Sequence, residues 1–310
     1  MKRLLFTAVM AIAIGGLALT AVSGQQRGRG GPPPSPRAGA PIDLTGYWVS
    51  VVNEDWRWRM ATPQKGDYQS LPLNAAARKV ADAWDLELDE ASGNQCKPFG
   101  AGNIMRQPGR LHITWDDDTT LKIEFDAGTQ TRVLHFDQSK PPAGPRTWQG
   151  YSTAEWVRPG RNAVVDPRVA DAAGTVPGGG GAGLRGAPPR SATMFEGGSL
   201  RVVTTGFRDG YLRSNGVPYS ENASLAEHLD RLPVPPDSPR SLGSLGSPGS
   251  PGSPGSPGSD VWLVVSSVFE DPQYLNGPLY LSTHFKKEPD GSKWNPTPCR
   301  TDPPGKVRSK

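Results

Sequence analysis

Cysteine and histidine are both scarce in this chain of 310 residues, with two Cys and four His. No His-Glu-x-x-His, no phosphate-loop pattern and no dinucleotide-type Gly-x-Gly-x-x-Gly occurs, so the motif-borne metal, nucleotide and cofactor chemistries have no signature here. No cofactor is therefore expected. Charge of one sign is not in excess either: 34 Lys and Arg stand against 30 Asp and Glu. Dispersed charge of this kind does not read as a nucleic-acid surface, despite a pI near 9.1. Beyond the N-terminus there is no second long apolar run, so no membrane insertion is expected of the mature chain.

The N-terminus itself is a leader by pattern. Lys2 and Arg3 precede the apolar run Leu4–Leu19, and small residues follow at Ala21, Ser23 and Gly24. The run falls short of the ~20 residues of a membrane span, and the order basic, apolar, small is that of a cleaved signal peptide over 1–24. The expected compartment is periplasmic or secreted. In that setting Cys96 and Cys299 are expected to form a disulfide, one before the first long strand run and the other after the last.

Proline and glycine are abundant, at 33 and 38 residues, and unevenly spread. A Gly/Pro/Arg tail over 25–40 and a short tail over 301–310 read as disordered. Segment 157–195 carries Gly178 to Gly181 without apolar periodicity, and segment 233–259 ends in Ser-Pro-Gly repeats; both read as flexible insertions. What remains of 41–300 suits a single domain.

Within that domain the apolar pattern is mostly period two. Strands are expected at Tyr47–Val52, Leu111–Trp115, Leu121–Phe125, Arg132–Phe136, Trp148–Trp156, Leu200–Thr205, Ala223–Arg231, Val261–Phe269 and Leu279–Lys286. Ala77, Val80, Trp84 and Leu88 recur at helical spacing and predict one amphipathic helix between Asn74 and Gly93. Consecutive antiparallel strands with a lone helix predict an all-β barrel or curved meander of about eight to ten strands, with a two-sheet sandwich as the alternative.

The site-bearing stretch is Ser220–Arg231. Alternation puts Ala223, Leu225, Glu227, Leu229 and Arg231 on one face, which is mainly apolar and so points inward. Buried charges need partners, so Glu227 and Arg231 are expected to pair or to meet a polar ligand, with His228 and Asp230 on the other face. Candidate acid–base residues are Glu227 and Glu221, with Arg231 as partner. Candidate ligand-lining residues are these three with Ser220, His284 and the aromatics Trp148, Tyr151 and Trp156. Gly150-Tyr151-Ser152-Thr153-Ala154 approaches a nucleophile elbow but sits mid-strand, the wrong context for one. His112, His135, His228 and His284 lack metal-clip spacing, so no metal is assigned. Asp116 to Asp118 reads as a solvated hairpin turn.

A set of motifs resembles families of exported bacterial proteins of uncharacterised function. They are Gly46-Tyr47-Trp48; Cys96-Lys97-Pro98 with Met105 and Gln107-Pro108-Gly109; Trp148-Gln149-Gly150-Tyr151-Ser152 through Trp156; Glu196-Gly197; Pro218, Ser220, Glu221 and Glu227; and Asp271-Pro272 with Tyr274. Here the Trp-Glu-Gly turn is split by the first insertion, and His228 stands where an arginine is usual. The resemblance implies a lipocalin-like, or calycin-like, barrel. The leading expectation is a barrel that holds a small, largely apolar molecule. The alternatives are an enzyme using Glu227 or Glu221, and a structural or partner-binding envelope protein. Oligomeric state is not legible.

Overall fold

The computed structural model describes residues 32–137, 141, 143–158, 197–233 and 261–304. The segment expected to be a leader, the first part of the expected tail and most of both expected insertions lie outside the described residues. Contacts divide the chain into Met1–Pro33 and Pro34–Lys310, and the second unit is the β domain.

In chain order the strands are β1 (Gly46–Val51), β2 (Arg110–Trp115), β3 (Thr120–Phe125), β4 (Gln130–His135), β5 (Tyr151–Val157), β6 (Ser199–Thr205), β7 (Gly210–Arg213), β8 (Val217–Tyr219), β9 (Ser224–Pro233), β10 (Val261–Glu270) and β11 (Leu279–Lys287). Nine of them close a barrel in the order β1-β11-β10-β9-β6-β5-β4-β3-β2. A ring with an odd number of strands cannot alternate direction throughout. The exception is β4 with β5, a parallel pair joined only at Leu134–Ser152 and His135–Thr153. The chain between them must return to its starting end, as a parallel neighbour requires. The barrel expected from the sequence is therefore present, with one parallel seam.

Strands β7 and β8, not anticipated from the sequence, form a separate hairpin between β6 and β9. Its turn needs Gly216: φ is +80°, and a Cβ there would lie 2.1 Å from Trp84 Cγ. The amphipathic helix is shorter than the spacing predicts. It runs over α2 (Ala75–Asp82), follows the one-turn α1 (Trp56–Arg59), and breaks before α3 (Leu86–Ala91). Asp85 starts α3 by accepting from Leu88 N–H at 3.0 Å. The break lets Trp84 turn inward and donate to Asp89 at 2.9 Å, while Val80 and Leu88 stay exposed.

Two ends close the barrel differently. At one, Trp115, Phe136 and Trp156 pack together. Ser35–Ala40, placed in the tail by composition, has contacts there: Trp156 Nε1 donates to Pro36 O at 2.8 Å and Arg37 N to Asp118 O at 3.1 Å. At the other end, residues 96–107 form a plug of two 3₁₀ turns, Lys97–Phe99 and Ile104–Arg106. Asn103 and Gln107 both donate to Pro98 O at 2.9 Å. The disulfide Cys96–Cys299 ties the plug to the C-terminal segment, 203 residues away in sequence. Thr301 and Asp302, also placed in a tail by composition, are buried.

Candidate functional site

Two apolar clusters flank the middle of the barrel, the second extending past its plugged end to α2 and the β7–β8 hairpin. One contains Leu229, Leu263, Val265, Leu200 and Val202; the other contains Leu225, Phe269, Leu279, Phe207 and Tyr219. Between them the inward stripes turn polar on several strands: Glu227 on β9, Ser267 on β10, Thr283 on β11, Thr204 on β6, Ser152 on β5 and Arg132 on β4, all buried. Arg132 and Glu227 are the charged pair of this girdle. Their contacts are bidentate, Nη2 to Oε2 at 2.6 Å and Nη1 to Oε1 at 3.2 Å, with both side chains 2% exposed. Arg132 also donates to Thr204 Oγ1 at 3.2 Å, and Thr204 shares a 2.8 Å hydrogen bond with Ser152. Ser152 is thus a girdle residue inside β5, not a nucleophile on an elbow.

Glu227 faces inward, as alternation predicts, but its partner is Arg132 rather than Arg231. Pairing of β6 with β9 stops at Ser199–Asp230. Arg231 lies one residue past that, at the barrel rim, and is exposed. The inward parity was right; the strand outruns the interior. Glu221 is exposed and lies beside Arg146, which donates to its carbonyl at 2.6 Å. Ser220 is buried, and both its N–H and hydroxyl go to Asp271 at 2.6 and 2.8 Å. These bonds join two of the sequence motifs and leave Ser220 a structural clasp.

The remaining residues named as ligand-lining are dispersed. Trp148 lies outside the strands, under Arg208 at 4.5 Å, with its indole N–H on Asp209 O. Tyr151 is stacked on His135 at 4.7 Å, on the opposite face from Ser152. Trp156 faces inward, but at the far end from the plug. His284, out of phase with the inward Thr283 and Phe285, contacts Glu54 and the edge of Trp262. His112 meets Glu124 and stacks on Tyr47, and His228 is exposed. Among the described residues no cluster of three or more metal-ligating side chains occurs. Asp117 accepts from Thr119 N at 2.6 Å, in the β2–β3 hairpin turn.

Two hollows adjoin at the plugged end. An inner hollow is lined by Ala101, Gly102, Asn103, Met105, Arg106, Leu225, Glu227, Ser267, Leu281 and Thr283. An outer one is lined by Trp58, Arg59, Asn103, Arg106, Gln107, Arg213 and Ser214. They enclose about 250 and 270 Å³, open solvent included. Most of that is open solvent, and each hollow has enclosed room for little more than a water-sized group, far below a pocket that swallows a drug-sized molecule. Asn103 and Arg106 of the plug line both. Thus the inner hollow touches the girdle through Glu227, and the outer one opens a mouth of hydrogen-bond donors.

At that mouth, Arg59 donates to Arg106 O at 3.0 Å, Ser50 Oγ at 3.2 Å and Glu54 at 3.4 Å. Arg106 donates to Ser282 O at 3.3 Å and pairs with Asp55. Burial lowers the Arg106 pKa against the opposing pull of Asp55 and Glu54. Arg213 lies over the Trp58 ring, 4.3 Å from its centroid. Burial brings its pKa down to about 10 against the opposing pull of Asp55 and Asp67, with the positive charges of Arg106 and Arg57 acting in the same direction as burial. None of Trp58, Arg59, Arg106 and Arg213 was singled out from the sequence. They sit on a one-turn helix, a 3₁₀ turn and a short hairpin, where no periodicity marks a face.

No protein family, no curated protein and no solved structure matches this chain.

Proposed function

We propose that this chain is an exported binding protein that recognises a small polar molecule at the plugged mouth of its barrel, rather than carrying an apolar cargo inside. The observation that carries this reading is the pair of adjoining hollows on which polar side chains from the plug, α1, β7 and the girdle converge. The interior beyond them is filled by side chains, which disfavours the apolar-cargo alternative. Acid–base chemistry by Glu227 has less support, because both its oxygens are held by Arg132; Glu221 is exposed and faces no hollow. The motif resemblance to exported barrel families belongs to this proposal, with Ser220 and Asp271 as a clasp rather than a site.

Native mass spectrometry of the protein purified from its source tests the reading, together with a thermal-shift screen of polar and apolar small molecules. One polar molecule per chain, or a saturable rise in melting temperature with polar compounds, is the expected result. A bound apolar molecule would restore the cargo reading. A ligand-free protein that responds to no compound would leave the mouth without a binding role.

A further inference from the structure

The charges around the mouth do not balance. Arg57 holds Asp67 at 2.7 Å, Arg59 meets Glu54 at 3.4 Å and Arg106 pairs with Asp55. Glu54 is also shared with His284. Each of these carboxylates thus has another cation as its direct partner, although Asp67 Oδ1 is buried without a hydrogen bond. Arg213 is 8% exposed and has no carboxylate within 4 Å among the described residues. Its contacts are a 3.5 Å hydrogen bond to Asp67 O and the Trp58 face. Asp55 and Asp67 favour its charge only from a distance; a buried guanidinium without a direct carboxylate partner is expensive, and a fold that needed only packing there would be served by an apolar side chain. Nearby, Trp58 Nε1 is buried and lacks a hydrogen-bond partner among the described residues. The outer hollow therefore offers a spare positive charge with Asn103, Gln107 and Ser214 in its lining.

We propose that Arg213 is the charge-reading residue of this mouth and that the ligand presents a carboxylate to it. This rests on the mouth being a ligand site. One cation without a direct carboxylate partner matches one negative charge, which favours a carboxylate over phosphate dianion. A guanidinium over an indole keeps its in-plane N–H groups for a planar oxyanion, in the fork geometry carboxylates take. The hollow is shallow and open, with enclosed room for little more than a water-sized group, so a carboxylate would reach Arg213 with its oxygens at the opening and leave the rest of the molecule outside. The site is the mirror of the girdle: the protein supplies the carboxylate to Arg132 and leaves that of Arg213 to the ligand.

The experiment titrates sodium acetate into the ¹⁵N-labelled mature protein and follows the indole N–H cross-peaks. Acetamide serves as the uncharged isostere, phosphate as the second oxyanion, and sodium chloride matches ionic strength. The Trp58 peak, identified by its loss in Trp58→Phe, is expected to shift saturably with acetate and not with acetamide. Arg213→Gln is expected to weaken the acetate response at least tenfold, and Arg213→Lys, which keeps the charge without the fork, by several-fold. An acetamide shift equal to that of acetate would overturn the proposal on the native protein alone. An unchanged response in Arg213→Gln would do the same. Tighter binding of phosphate would overturn the carboxylate class while keeping the mouth as a site. A small molecule that co-purifies while acetate does nothing would likewise sink this inference and spare the binding role. No response to any compound, with nothing co-purifying, would sink both.

Discussion

Arg132 and Arg213 are 2% and 8% exposed, so both pay nearly the full desolvation of a guanidinium, yet only Arg132 meets a carboxylate. Arg132 sits between two apolar clusters with Glu227 held in both its arms. Arg213 sits beside a hollow, over Trp58, among arginines that hold the neighbouring carboxylates as direct partners. The first is closed on the protein's own carboxylate, with Nε of Arg132 alone left without a hydrogen bond. The second lacks that direct partner, which is what a ligand would provide. Burial alone therefore does not tell a structural charge from a recognising one; a direct carboxylate partner within the fold does.

The sharpest way to break this comparison is at the girdle. Arg132→Met strands Glu227 in an apolar layer and should destabilise by about 3–5 kcal/mol. Denaturant unfolding would measure it. Adding Glu227→Leu should recover most of the loss, because a buried pair replaced by apolar groups is often near neutral. If the single change is silent, Arg132 is no better paired than Arg213 and the contrast disappears.

Next comes the plug, which holds Asn103 and Arg106 in both hollows. Reducing Cys96–Cys299 should lower stability by about 2–4 kcal/mol, since it closes a long loop in the unfolded chain. Unfolding with and without reductant measures this. Under reducing conditions acetate binding should weaken more than in Arg132→Met/Glu227→Leu, because only the former loosens the mouth.

A smaller effect concerns alkaline pH. Burial and the 2.8 Å hydrogen bond to Asp82 raise the Tyr68 pKa from its ordinary 10.0 to about 12. Burial also raises Tyr219, and burial with the Asp89 hydrogen bond raises Tyr211. The native state keeps these protons longer than the unfolded state. Their stabilising contribution is thus whole below pH 10 and is lost as pH rises towards and through the native values. Stability should fall from pH 10 upward, and Tyr68→Phe should make the fall between pH 10 and 12 shallower. An identical slope in that variant would show that Tyr68 titrates normally. None of these tyrosines touches the Arg132 pair, so the girdle contrast should survive this pH range until the protein unfolds.

The sequence exposed the girdle better than the mouth. Leu225, Glu227 and Leu229 alternate on β9, so the inward glutamate was legible. Arg132, Leu134 and Phe136 alternate in the same way on β4, and that signal was there to be read. Period-two patterning reports the face of a strand, however, not which strands lie across a barrel or where a strand passes its rim. That is why Arg231, adjacent in sequence and correct in parity, was paired with Glu227, while Arg132, 95 residues away, holds it. The mouth was invisible for a different reason. Trp58, Arg59, Arg106 and Arg213 come from turns and short elements, and only the closed fold brings them together. The disulfide was legible because the leader-like N-terminal pattern and the positions of two lone cysteines both pointed to it.

The central claim is tested most directly by the melting temperatures of Arg132→Met and Arg213→Gln, measured side by side without ligand. For a domain of this size the first should melt lower by on the order of 10 °C, and the second should stay within about 2 °C of the parent. A fall of similar size in Arg213→Gln would contradict the account, because the charge of Arg213 would then belong to the fold rather than to a ligand.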